Sequence, residues 1–359
     1  MILPPTWLIN AINRFRTFLI RLNRRTFPGS VVLYEQFQNF WVLPCLYIAA
    51  KLNIARHLEE KPRSSGDIAN RVKADPEAIY RLMRALAGVG IFKQKSNGSF
   101  ALNSLSRGLL DGPQSLRYMI LHHLGPVNWN LLGDLEHAVR SGNDAFSHKY
   151  GMGIYDYLKN HPDESSIFDK SMSNLSFLGL DPILIAYDFS KFPVIADIGG
   201  GEGFLLSNIL SGTDKTRGIL FDTAEALTNA PALIEGYGLS DRINLITGDF
   251  FKEVPLSADL YILKNIIHNW NDDLCTKLLK NISDRMDNHS RILVIDMVVP
   301  VGNEPSLSKL LDIQMLATMP GGKERTKEEF LRLIENSGLH CSRVIPTISP
   351  ISLIEIRKN

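Results

Sequence analysis

An α/β doubly wound domain behind a helical, winged-helix half is the fold this sequence predicts, and three observations predict it. Beyond Phe192, short apolar runs alternate with helical stretches; between Ser65 and Leu102, two capped helices lead into a tight hairpin; and a glycine-rich turn directly follows the first of those apolar runs. A length of 359 residues suits two domains, the larger able to close a full core.

Residues 1–30 read as a basic amphipathic N-terminal segment. Trp7, Leu8, Ala11, Ile12, Phe15, Phe18, Leu19 and Leu22 recur at helical spacing among Arg14, Arg16, Arg21, Arg24 and Arg25, with no acidic residue. Arginines interrupt the apolar stretch that a secretory signal needs. The segment is therefore either a dimer-arm helix packed on the body or a helix in contact with a membrane surface.

Residues 31–125 read as a winged-helix-like dimerisation domain. Phe37–Ile54 carries Phe40, Trp41, Leu43, Leu46, Ile48 and Leu52 with few charges, the pattern of one buried or interfacial helix. Its burial calls for a partner, so a homodimer is expected. Ser65 caps a helix through Ile68 and Val72; Asp75 and Pro76 begin a second, through Ile79, Leu82, Met83 and Leu86, that stops near Gly88. Phe92–Leu102 then alternates about Asn97 and Gly98, a hairpin signal. The second helix offers Arg81 and Arg84 offset by Asp75 and Glu77, too thin a cationic lining for a major-groove reader. No nucleic-acid partner is expected, and a DNA-binding regulator is the weaker alternative.

Composition agrees. With 45% hydrophobic residues, 21% charged and a net charge of +1, nothing calls for a polyanionic partner, and a small molecule is the natural one. Cys45, Cys275 and Cys341 are too scattered for a metal cluster or disulfide framework, so no metal and a cytoplasmic location are expected. No run of eighteen apolar residues occurs.

Residues 126–187 read as a helical connector lining a substrate pocket, with Tyr155, Tyr157, Phe168, Met172 and Phe177 as core or as a grip on a flat apolar ligand. Residues 188–359 form the doubly wound half. Apolar runs at Val194–Ile198, Gly218–Phe221, Ile243–Thr247, Leu260–Lys264 and Ile292–Val299 read as parallel strands buried on both faces, and Ser342–Thr347 with Ile351–Ile356 as an antiparallel pair, seven strands in all.

Chemistry gathers at the strand ends. The first strand runs into Asp197–Gly203, DIGGGEG, whose glycines permit a sharp turn and close ligand approach at the carboxyl edge of the sheet. The spacing G-x-G-x-G differs from the dinucleotide fingerprint, which wants its third glycine where Phe204 stands. Asp197 ahead of the turn suits a ligand bearing an amino group. Asp222 ends the second strand, where a carboxylate can accept both hydroxyls of a ribose; Asp249 and Phe250 follow the third, offering an acceptor for an adenine amino group and an aromatic face. Past the fourth strand, His268 has an unperturbed pKa of about 6.5, suited to accepting a proton near neutrality.

In this order the residues resemble the plant caffeic acid and flavonoid type of O-methyltransferase and its bacterial relatives acting on polyketide and phenazine hydroxyls. The resemblance runs from about residue 31 to the end and is carried by DIGGGEG at Asp197–Gly203, GDFF at Gly248–Phe251, LKNIIHNW at Leu263–Trp270 and PGGKERT at Pro320–Thr326. It implies a Rossmann-like class I methyltransferase domain and S-adenosylmethionine as cofactor. Implied too are His268 as base, oriented by Asp296 and Glu324, and cofactor positions at Gly199, Asp222, Asp249, Phe250 and Lys264, beside Asp197 and Gly201 of the turn. Met172 falls where members place a methionine against the acceptor ring; Phe168 and Asn269 are further substrate candidates. Asn269 stands where plant members commonly have aspartate, and Asp296 where they have glutamate. The implied reaction is methyl transfer to a phenolic or enolic hydroxyl of a small secondary metabolite. The alternative is non-methylating chemistry, a cyclisation or hydroxylation, on the same fold.

Overall fold

The structure is a computed structural model that describes residues 6–359; residues 1–5 and the side chain of Trp7, part of the predicted amphipathic segment, lie outside the described residues. Two compact units emerge, one built mainly from residues 133–157 and 179–359, the other from 10–132 and 158–178.

Most of the basic segment is a helix, Thr6–Arg24, which belongs to the helical unit from Asn10 onward and whose Ile12, Phe15, Phe18 and Leu22 are exposed. The apolar stretch Phe37–Ile54 departs from the expected single helix. It is broken into a helix Gly29–Gln38, a 3-10 turn Asn39–Trp41 and a helix Val42–Lys51. Pro44 has no N–H to donate into a continuous helix and clashes with the turn before it, and Asn53, at φ 49°, closes the last piece. Phe37 and Trp41 are each 63% exposed, so this stretch is not buried within one chain. The helix-turn-helix follows as Ser65–Val72 and Pro76–Gly88. Ser64, not Ser65, caps the first of these, its side chain accepting from the Asp67 N–H at 3.1 Å, while Asp75 caps the second at 2.8 Å from the Ala78 N–H. Such a cap is worth about 1 kcal/mol. The wing is a minimal hairpin, β1 (Lys93–Gln94) against β2 (Phe100–Ala101). Ile68, Met83, Leu86, Phe92 and Phe100 close its core. A long helix, Pro162–Ala186, supplies Phe168 and Met172 to this unit.

In the other unit the strands are β3 (Val194–Ile198), β4 (Arg217–Asp222), β5 (Ile243–Thr247), β6 (Leu260–Lys264), β7 (Arg291–Val299), β8 (Arg325–Thr326), β9 (Leu339–Pro346) and β10 (Ile351–Lys358). Their order is β5-β4-β3-β6-β7-β10-β9, parallel through β7 and antiparallel thereafter. The seven expected strands are joined by an eighth, the two-residue β8, which pairs with the end of β7 through Val298–Arg325 and Val299–Thr326. Buried clusters cover the sheet on both sides, as crossover helices require. At the edge, β5 is not buried on both faces: Asn244, Leu245 and Thr247 are exposed, and among the described residues no strand pairs beyond it. The switch in strand order falls between β3 and β6, where such sheets open a crevice at their carboxyl ends.

Candidate functional site

The first wall of the crevice is the turn after β3. Gly199, Gly201 and Gly203 have φ values of 71°, 59° and 84°, a left-handed run that side chains resist, and the chain then enters the helix Phe204–Ser211. A Cβ on Gly199 would lie 2.5 Å from Ile266 Cδ1 and 3.5 Å from Phe250 Cε1, so this glycine is where the loops after β3, β5 and β6 converge. A Cβ on Gly200 would meet the Asp197 carboxyl at 2.6 Å, whereas one on Gly201 would meet nothing within 4 Å. The turn is packed beneath and open above.

Three charged side chains sit under or beside it. Asp197 is buried at the end of β3, and burial pushes its pKa up to about 7, Lys264 pulling downward and Asp222 adding to the rise. Lys264 ends β6; burial lowers its pKa while Asp197 and Asp296 oppose the fall. Asp222 ends β4 and accepts from the Gly201 N–H at 2.9 Å and from the Thr223 N–H at 2.7 Å. Burial still raises its pKa against those two bonds. Each of its oxygens keeps a lone pair for a further donor.

Past β5, Gly248 packs on Phe221, and the side chain of Asp249 is exposed, with Oδ1 accepting from the Phe251 N–H at 2.9 Å. Phe250 is held by its carbonyl, which accepts from Asn281 at 2.8 Å. Its ring meets Phe251 edge-on at 4.7 Å, and Phe251 meets Trp270 the same way at 4.8 Å. An aromatic row thus links the turn to the loop that carries the histidine.

That loop follows β6. Asn265 takes a left-handed φ of 55°, and its carbonyl accepts from the Asn269 side chain at 3.0 Å, so Asn269 Nδ2 is committed within the loop. His268 lies on the 3-10 turn Ile267–Asn269 and is only 13% exposed. Its Nδ1 stands 2.9 Å from Glu324 Oε1 and 3.1 Å from Asp296 Oδ1. Both acids converge on one ring nitrogen, which leaves Nε2 as the ring's other reactive atom. Burial alone would lower the imidazole's pKa, but the carboxylates of Asp296 and Glu324 outweigh it and raise it to about 10. Asp296 Oδ2 and Glu324 Oε2 are buried without a hydrogen-bond partner among the described residues. Burial raises the pKa of Glu324, His268 opposing and Asp296 adding.

Asp197, Gly199, Gly201, Asp222, Phe250, Lys264, His268, Asp296 and Glu324 therefore share one edge of one unit. Phe168 and Met172 stand in the other, where the Phe168 ring lies edge-on to His122 at 5.2 Å. Two residues carry more of the site than their letters announce. Arg325, fully buried, binds the carbonyls on either side of the histidine, and Asp312 accepts from the Glu324 N–H at 2.9 Å. Arg325 lies inside the PGGKERT run, so a charged residue in a motif was the available signal; Asp312 had none.

Comparison with known proteins bears on this edge. Residues 132–340 match the family described as O-methyltransferase domain, and residues 34–112 that described as O-methyltransferase dimerisation domain. The chain is 35% identical to a phenazine O-methyltransferase of Lysobacter antibioticus over 92% of this chain and 96% of the relative. It is 30% identical to an 8-amino-8-demethylriboflavin N,N-dimethyltransferase of Streptomyces davaonensis over 90% and 94%. A solved O-methyltransferase from neocarzinostatin biosynthesis, in complex with S-adenosylmethionine and 2-hydroxy-5-methyl naphthoic acid, superposes with a TM-score of 0.76 at 28% identity, covering 89% of this chain and 96% of that one.

Proposed function

The chain belongs to the S-adenosylmethionine-dependent O-methyltransferase family, and from that premise we propose that it methylates a hydroxyl of a flat aromatic small molecule with His268 as general base. The observation that carries the base assignment is the meeting of Asp296 and Glu324 at His268 Nδ1.

The turn after β3 fits the cofactor on its own features. The space above Gly201 admits a close ligand, Asp222 keeps acceptor capacity for a diol, and Asp197, at a pKa of about 7, gains from a cationic amino group beside it. We assign Gly199, Lys264, Asp249 and Phe250 to the same ligand, Phe250 through its ring. When bound, S-adenosylmethionine supplies a methyl group on a sulfonium, already activated for displacement.

The chain's own work is with the proton. An acceptor hydroxyl donates to His268 Nε2, and the imidazolium that forms keeps its Nδ1–H on Asp296 and Glu324. A phenol has a pKa of about 10, and the ring is raised to about 10, so the transfer is close to isoenergetic. The ring must be neutral before it can accept, so turnover rises with pH. His268, Asp296 and Glu324 also offer ligand atoms within 4.8 Å of one another, as a metal site would. We read them as a hydrogen-bonded triad because both acids meet the same nitrogen at N–H···O distances.

Met172, Phe168 and Asn269 are kept as the residues assigned to the acceptor. The exposed Phe37 and Trp41 and the dimerisation-domain match support a homodimer, and the residue spans 31–125, 126–187 and 188–359 are kept as its dimerisation, connector and catalytic parts. The amine acceptor of the aminoflavin relative supports one further reading, in which nitrogen is the nucleophile and needs a base less.

The test is a screen of hydroxylated and aminated aromatics with methyl-labelled cofactor, on the wild type and His268→Ala. Labelled ethers from the wild type, with turnover lowered by about 10²–10⁴-fold in His268→Ala and binding of S-adenosylhomocysteine unchanged, are expected. Full activity of His268→Ala would end the base assignment.

A further inference from the structure

We propose that Arg325, seated on Asp272, is a positioning residue that fixes the loop carrying His268, and that the basicity of the ring depends on it. The inference rests on the reading of His268 as the base.

Five carbonyls of the loop have donors. Ile267 O accepts from Arg325 Nη1 at 2.9 Å, and Trp270 O from Arg325 Nη2 at 2.9 Å. His268 O, between them, accepts from the Lys323 N–H at 2.9 Å, and Ile266 O from the Asn269 N–H at 3.1 Å. Asn265 O takes the Asn269 side chain. A short irregular loop with this many satisfied acceptors has little freedom left. Two of the bonds come from one guanidinium, which brackets the histidine from both sides.

The guanidinium is itself held. Its Nε and Nη2 meet Asp272 Oδ1 at 3.0 and 2.6 Å, and Lys323 Nζ lies 3.5 Å from Asp272 Oδ2. Arg325 is 0% exposed, whereas the side chain of Asp272 is 56% exposed, so the pair joins a buried cation to an anion at the surface. Burial would raise the Asp272 pKa, but the hydrogen bonds and charges of Arg325 and Lys323 together outweigh it and hold the carboxyl low. Chain order adds the functional link, since Glu324 precedes Arg325. One dipeptide sends an acid to Nδ1 of the ring and a fork to the backbone of the same loop. Lysine cannot replace that fork, its three N–H donors being gathered on one nitrogen where arginine spreads five in a plane.

Placement controls basicity because the ring's raised pKa depends on two contacts near 3 Å. A loop free to move by about 1 Å weakens both, and misplacement of that size costs about a hundredfold in rate.

The test uses free, full-length protein with nitrogen-labelled histidine, comparing wild type, Arg325→Lys and Asp272→Asn, with His268→Ala to assign the signal. In the wild type the His268 ring titrates far above the ordinary value of about 6.5. In both variants its midpoint falls by at least about one pH unit. Turnover falls about a hundredfold in Arg325→Lys and about tenfold in Asp272→Asn, with KM for the cofactor within about twofold of wild type. Asp272→Asn, altered at a half-exposed side chain, keeps the question open to measurement if Arg325→Lys fails to fold. An unmoved midpoint in a folded variant overturns the proposal. So does a loss in which KM and melting temperature move together while the ring titrates as before. Failure of the base reading shows elsewhere: His268→Ala would then stay active whatever the ring's midpoint does in the other variants.

Discussion

The two loops that face each other across the crevice are built by opposite means. The turn after β3 is made of consecutive residues, and its shape follows from glycines at Gly199, Gly201 and Gly203. The loop after β6 takes its shape largely from afar: Arg325 and Lys323 satisfy carbonyls on it, and Asp296 and Glu324 hold its histidine side chain. A locally encoded loop is stiff on its own account and suits binding a constant ligand. The assembled loop is as exact only while its distant supports are in place, and it suits holding one ring in one orientation.

That contrast can be broken by substitutions that should act on one side alone. The largest effect is expected from Gly201→Ala, which adds a Cβ at a left-handed φ of 59° in the open space above the turn, touching no atom of the other loop. Strain of about 1–3 kcal/mol predicts about a tenfold to hundredfold weaker affinity for S-adenosylhomocysteine by calorimetry, with the His268 titration nearly unmoved. If binding survives intact, the turn is not the cofactor wall.

Glu324→Gln should do the reverse. Removing one of the carboxylates that raise the ring's pKa lowers that pKa, so the rise of kcat/KM with pH shifts to lower pH. Its plateau drops about tenfold, the ring being a weaker base, while cofactor affinity stays put. An unshifted pH profile would detach Glu324 from the ring.

A smaller effect should appear in stability. The folded pKa of His268 is raised, to about 10, above the unfolded value of about 6.5. Its contribution is therefore fully present below about pH 6.5 and lost as pH rises through about 10. The melting temperature of the wild type relative to His268→Ala should accordingly fall between those limits, and a flat difference would contradict the raised pKa. Smallest of all, treatment with a chelator should leave turnover unchanged, since the triad is read as hydrogen-bonded; loss restored by a divalent cation would recast it as a metal site.

The same contrast governs what could be read from the letters. The glycine turn, the strand positions and the cap at Asp75 were legible because each is set by neighbours in sequence: Asp75 caps its own helix and β3 leads straight into DIGGGEG. The one misplaced cap, Ser64 for Ser65, is an error of one position in a local signal. Asp296 and Glu324 were found through family likeness, since 28 and 56 residues of chain separate them from His268 and no spacing joins them. Asp312 escaped because its contribution is one bond, its carboxylate reaching from the helix Leu307–Thr318 to accept from the Glu324 backbone N–H. Pro44 is the local signal for the break in Phe37–Ile54, one residue set within a long apolar run.

The two-residue strand β8 has a consequence for how this edge can change. Its ladder with Val298 and Val299 begins immediately after Glu324, just as β7 carries Asp296 two residues earlier. The gap between the acids is thus gauged by backbone pairing and is indifferent to the length of the intervening chain. Insertions near Gly302 should be absorbed, whereas a slip of one residue in β8 would reverse the side to which Glu324 points and leave the imidazole with a single acid.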